Sequence, residues 1–164
     1  MGTSMSGRYL NTQGSRKSPS EYAVVHSNEG TFVGVGKNKQ YGGHIRLDGG
    51  GHGQDGMNLL DKYHIKYNIV KTYPNGVRVG NVPDHKSKSK QTGTNQAWFP
   101  KSWSAKDIKK AGTHVASLKA NKHVPNGTVM FGMYNKVRVG VIKTNGVVST
   151  IFPDSIQPKI KRRK

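Results

Sequence analysis

The chain contains no cysteine. That excludes a disulfide framework and any thiolate-ligated metal site. No apolar run approaches the roughly 18 residues of a membrane-spanning helix, so no membrane anchor is expected. Carboxylates are scarce and scattered: Glu21, Glu29, Asp48, Asp55, Asp61, Asp84, Asp107 and Asp154. Chemistry that gathers several carboxylates around two metal ions has little to draw on here. Seven histidines are present, yet none forms a His-x-x-x-His pair or a similar zinc-ligand spacing. Neither a metal nor a cofactor is expected. Hydrophobic residues make up only 32%, low for a globular chain. Part of the chain is therefore expected to be unpacked or to serve as charged surface.

What the chain has in excess is positive charge. Its 27 Lys and Arg against 8 Asp and Glu give a formal net charge of +19. A field of that sign attracts polyanions and speeds their encounter. Nucleic acid is the first partner class this implies. A membrane surface is disfavoured, because no basic amphipathic helix with a bulky apolar face is evident. An acidic protein is the third class. With few carboxylates, any cleavage of nucleic acid falls to His and Lys. That route suits RNA, whose 2′-hydroxyl is a built-in nucleophile.

Length and patterning predict one domain over 21–158, preceded by a disordered lead (1–20) and followed by a basic tail (159–164). The first five residues read as an artificial start, and the chain as a piece of something larger. Tyr22–Val25 and Thr31–Val35 are short β-branched runs around Asn28-Glu29-Gly30, which predicts a weak hairpin. Met57–Tyr63 reads as a short helix with Met57, Leu59, Leu60 and Tyr63 on one face. Ile65–Thr72 and Val77–Val82 flank Pro74-Asn75-Gly76, a second hairpin with Val77 and Val79 inward and Arg78 outward. Asp84-His85-Lys86 then opens a basic loop with Lys88 and Lys90. Ser104 as N-cap with Asp107 three residues on marks a helix to about Leu118, with Ile108, Ala111, Val115 and Leu118 facing inward. Val129–Tyr134, Val137–Ile142 and Val147–Phe152 read as three strands. The near-repeat of Tyr-x-x-x-Val-Arg-Val-Gly suggests that the two hairpins share one sheet. Trp98, Phe99 and Trp103 are expected in the core.

Gly49-Gly50-Gly51-His52-Gly53-Gln54 stands out locally. Four glycines allow positive φ and close approach of another group. The single His has a pKa near working pH. Taken alone, such a stretch is also what a flexible surface loop looks like.

Three motifs together carry a family resemblance: Gly-Gly-His (50–52), Phe-Pro-Lys-Ser-Trp (99–103) opening a helix, and Ser-Thr-Ile-Phe-Pro (149–153) on the final strand. From about Gly42 to Pro158 the chain resembles the bacterial EndoU nucleases, toxin domains at the C-termini of contact-dependent and other polymorphic secreted toxins. The resemblance implies an α+β fold dominated by antiparallel sheet. It implies an endoribonuclease that works through two His, often with a Lys, and leaves 2′,3′-cyclic phosphate and 5′-hydroxyl ends. Carried over by position, it makes His52 one catalytic His and Thr150 the catalytic Thr. Phe152 takes the aromatic position; lacking a hydroxyl, it could stack on a base but not hydrogen-bond one. The second His is His85, with His44 as the alternative. Lys88, Gln96 and Lys101 are the substrate-binding candidates. The implied setting is a monomer, delivered from the producing cell, that cleaves RNA in the cytoplasm of a target bacterium. Transfer RNA and uridine are candidate targets, and an acidic immunity protein is the expected partner.

Overall fold

The computed structural model describes residues 19–34 and 44–159. Among them, three helices and three small antiparallel sheets make an α+β fold. Most of the expected lead, part of the Gly-rich segment and most of the basic tail lie outside the described residues.

The larger core is built on the sequence's best-marked helix. In α3 (Ala105–Ser117) the Ser104 hydroxyl accepts from Asp107 N–H, and the Asp107 carboxylate accepts from Ser104 N–H at 2.8 Å. This reciprocal cap satisfies two otherwise orphaned donors. Ile108, Ala111 and Val115 are fully buried. They pack on a meander of β6 (Met130–Tyr134), β7 (Val137–Thr144) and β8 (Val147–Pro153). Alternation on β7 sends Val137, Val139 and Val141 into that core. Arg138, Gly140 and Ile142 face the other way.

A second sheet runs β3 (Asn68–Thr72), β4 (Arg78–Asn81), β5 (Gln96–Trp98). Its last strand joins two cores. Consecutive side chains of extended backbone point to opposite faces. Phe99 therefore enters the α3 cluster, while Trp98 enters a smaller cluster with Leu47, Met57, Leu60, Ile65 and Val82. Trp103 stacks on Phe99 with ring centroids 4.9 Å apart. The aromatic trio is core, as expected. The two hairpins, however, do not share a sheet: β3–β4 pairs onward with β5, and β6–β7 with β8. Both nonetheless feed one core: Val77 and Val79 from β4 and its approach join Val137, Val139 and Val141 from β7 in the α3 cluster. Arg78 also departs from expectation. It is half-buried and donates to Gln54 Oε1 at 2.8 Å and to the Phe99 carbonyl. It thereby ties β4 to α2 (Gln54–Lys62).

The first expected hairpin is replaced by α1 (Glu21–Glu29). Ser20 caps it by accepting from Ala23 N–H at 3.0 Å, and Gly30 ends it at φ 94°. The buried face is Ala23, Val24, Ser27 and Asn28. Half of that face is polar, so apolar periodicity could not reveal it. The strand after it, β1 (Thr31–Val33), pairs instead with β2 (Arg46–Gly49).

α1 ends where the Gly loop begins. A helix leaves its last carbonyls without intrahelical partners. Here Gly51 N–H donates to His26 O (3.0 Å), His52 N–H to Ser27 O (2.6 Å) and Gly53 N–H to Asn28 O (3.0 Å). Glycine is required for this docking. Gly50 and Gly51 hold φ of 65° and 73°, and a Cβ on Gly50 would lie 2.0 Å from His26 O. Ser27 also reaches the far sheet, its hydroxyl accepting from Ile151 N–H on β8 at 2.9 Å. One buried residue thus fastens both His52 and β8. Ser27→Ala strands a buried N–H and is expected to cost about 1–3 kcal/mol, read as a lower urea midpoint at unchanged slope. A midpoint equal to wild type would mean that Ile151 N–H finds another partner.

Candidate active site

His52 is 4% exposed. Its Nδ1 lies 2.8 Å from the Ala97 carbonyl on β5. A carbonyl only accepts, so Nδ1 carries the proton and Nε2 carries the lone pair. The backbone reinforces this, since Phe99 N–H donates to His52 O at 2.7 Å. The Gly loop thus lies between the C-terminus of α1 and the edge of β5. Gln96, fully buried behind it, donates to Gly50 O at 3.5 Å. Gln96 thereby braces the loop from inside.

His85 is also buried and has the opposite polarity. Ser87 N–H donates to its Nδ1 at 2.8 Å. The neutral ring therefore carries its proton on Nε2, which is buried without a hydrogen-bond partner among the described residues. The loop bearing it is pinned to β2. Arg46 donates to the carbonyls of Asp84 (3.1 Å) and His85 (3.2 Å), and Lys86 N–H donates to Leu47 O at 2.9 Å. The same loop turns back through Lys90, whose carbonyl accepts from Val82 N–H at 2.9 Å.

Lys90 ties the electrostatics together. Burial lowers its pKa below the usual lysine value. Burial also pushes His52 down to about 3, with the Lys90 ammonium as the next influence. His85 is pushed down to about 4 by burial first and Lys90 second, with Asp48 opposing. His26 on α1 is lowered in the same order of causes except that Asp48's opposing pull exceeds Lys90's push. The Lys90 ammonium thus bears on all three imidazoles. Neither His26 nor Lys90 stands out in the sequence as a site residue. Lys90 is one of three alternating lysines that spacing cannot tell apart. His26 falls just after a run, Tyr22–Val25, that reads as strand.

The third motif approaches from β8. Thr150 and Phe152 are half-buried on the face of β8 turned away from the core. The Phe152 ring lies 6.0 Å from the His52 ring. Phe131 meets Phe152 edge-on at 6.4 Å, and the Arg138 guanidinium covers Phe131 at 4.2 Å while donating to Asp154 at 3.0 Å. Gly140 makes room for this stack, since a Cβ there would lie 2.5 Å from Phe152. His44 is exposed and pairs with Asp84 at 2.8 Å, next to the His85 loop. Lys88 and Lys101 are exposed surface cations. Among the described residues, no three His, Asp or Glu side chains are grouped to hold a metal ion.

The family model for bacterial EndoU nuclease matches residues 34–155, about three quarters of the chain. The chain belongs to the bacterial EndoU nuclease family. No curated protein and no solved structure matches it.

The two depressed histidines couple stability to pH. Each is neutral when folded down to about pH 3 or 4, whereas in the unfolded chain it charges near 6.5. Between those values the unfolded state binds more protons, so stability falls as pH drops below 6.5. The slope from both residues is at most about 2.7 kcal/mol per pH unit. His52→Gln is expected to remove about half of it, whatever its effect at pH 7, as read from urea unfolding between pH 4.5 and 7. An unchanged slope would show that His52 is not buried neutral.

Proposed function

We propose that this nuclease is an endoribonuclease that cleaves by metal-free transesterification at the ribose 2′-hydroxyl. The observation that carries the reading is the bond from His52 Nδ1 to the Ala97 carbonyl. It leaves Nε2 as the basic nitrogen, in a neutral ring at working pH. In this reading His52 Nε2 takes the proton from the 2′-hydroxyl. The 2′-oxygen attacks phosphorus, and the bond to the 5′-oxygen breaks, leaving a 2′,3′-cyclic phosphate.

The remaining roles follow from donor polarity. His85 cannot gain a proton on Nδ1 without losing the Ser87 N–H bond. Its task is therefore that of a neutral donor, aiming Nε2–H at a phosphoryl oxygen where negative charge develops. Lys90, with its lowered pKa, is a better proton donor than an ordinary lysine. It supplies the proton to the departing 5′-oxygen. A second assignment gives that proton to His44, whose exposure and pairing with Asp84 suit a reversible proton carrier. Thr150 and Phe152 position the nucleotide, Phe152 by stacking.

A phosphodiester seated against Lys90 offsets the second largest of the influences that depress His52. The base is then stronger in the complex than in the free protein. For the wider setting, we take the protein to be a monomeric toxin domain, delivered to a target bacterium and neutralised by an acidic immunity protein. The net charge of +19 supports a partner of the opposite sign. Transfer RNA cut at uridine is the proposed substrate.

The test is total RNA in EDTA with wild type and with His52→Ala, His85→Ala, Lys90→Ala and His44→Ala, mapping fragment ends. Discrete cuts with cyclic-phosphate ends are expected, reduced about 10²–10⁴-fold by His52→Ala. The acidic limb of kcat should lie at higher pH than that of kcat/KM, which reports the free enzyme. Loss of cutting in His44→Ala but not Lys90→Ala would move the acid role to His44. RNA bound but not cut by wild type would make this a binding module.

A further inference from the structure

The helix α1 precedes the family-matched segment 34–155, and it brings an aromatic pair to the site. The His26 ring edge lies against the Gly loop: a Cβ built on Gly49 would sit 3.3 Å from its Cε1, and one on Gly50 3.0 Å from its Nε2. His26 Nδ1 is held by the Thr31 hydroxyl at 2.7 Å. One turn earlier, on the same helix face, Tyr22 stacks on His26 with centroids 6.2 Å apart and planes 19° from parallel. Tyr22 is 72% exposed.

An exposed tyrosine has no packing role on this helix, whose buried face is Ala23, Val24, Ser27 and Asn28. Its ring instead continues the His26 ring outward from the Gly loop, two residues from His52. His26 beneath it feels the Asp48 carboxylate and the Lys90 ammonium. A planar base resting on Tyr22 would continue a stack backed by His26 and, behind it, the Gly loop. Every base has a π-face, so such a platform binds nucleotides without reading sequence.

We propose that Tyr22, backed by His26, is a nucleobase-stacking subsite for a nucleotide flanking the scissile bond of a single-stranded RNA. The proposal rests on the endoribonuclease reading above. Phe152 and Tyr22 would then hold bases on two sides of His52, one from β8 and one from α1.

The test compares wild type, Tyr22→Ala and Tyr22→Trp on a ribodinucleotide and on its one-nucleotide extensions at either end. It adds binding of the extended strands, made uncleavable by 2′-deoxy substitution, by fluorescence anisotropy. Tyr22→Ala is expected to cleave the dinucleotide at the wild-type rate. On one of the extended substrates it should lose about 10-fold in kcat/KM, mostly in KM. Tyr22→Trp should restore the loss. Equal losses on both lengths would assign Tyr22 a structural role and overturn the subsite. So would wild-type kinetics of Tyr22→Ala on every substrate, with the nuclease reading intact. Wild type that binds the extended strand without cutting any RNA, with binding weakened in Tyr22→Ala, would overturn the catalytic reading alone. Wild type that neither cuts nor binds would overturn both.

Discussion

The capping of α1 by the Gly loop is the contact on which the rest of the site depends. Three loop N–H groups, from Gly51, His52 and Gly53, meet three carbonyls at the end of the helix. Only residues able to hold positive φ without a Cβ let the two backbones approach this closely. His52 is then fixed from both sides, by α1 through its N–H and by β5 through its carbonyl and Nδ1. Ser27 carries the constraint on to Ile151, and so to the strand that bears Thr150 and Phe152. The three motifs lie far apart along the chain, and this chain of hydrogen bonds brings two of them together. The third, Phe-Pro-Lys-Ser-Trp, contributes through Phe99, which both fills the core and holds His52 O.

Burying an imidazole that deeply disfavours its charged form, and the direction of the His52 and His85 shifts follows from it. The C-terminal end of α1 carries partial negative charge and works the other way. Its influence is typically about 0.3–1 kcal/mol, at most about 2, and about 1.4 kcal/mol corresponds to one pKa unit. Burial therefore wins in the free protein, and the net charge of +19 adds to it. The same balance makes the site responsive to its substrate. An entering phosphodiester supplies negative charge beside rings on which, among the described residues, Asp48 is the carboxylate that bears.

Much of the fold was legible because local signals agreed with tertiary packing. Ser104 with Asp107 set the start of α3, and the Val-x-Val alternations at 77–79 and 137–141 set the inward faces. α1 was missed because Val24 and Val25 favour strand, and because its buried face mixes Ala and Val with Ser and Asn. Ser20 before it and Gly30 after it were the available signs of a helix start and stop. His52 was legible from its glycines. Gln96 was not legible as a brace, because a polar side chain says nothing of which way its strand faces. Lys90 was singled out only by the turn that buries it, which sequence spacing among Lys86, Lys88 and Lys90 does not encode.

The central claim is that the fold holds two neutral imidazoles of opposite tautomer. Long-range ¹H–¹⁵N correlation spectra of the histidine rings at pH 7 test it directly. The account predicts His52 protonated on Nδ1 and His85 protonated on Nε2. Either ring doubly protonated, or His52 carrying its proton on Nε2, would contradict it.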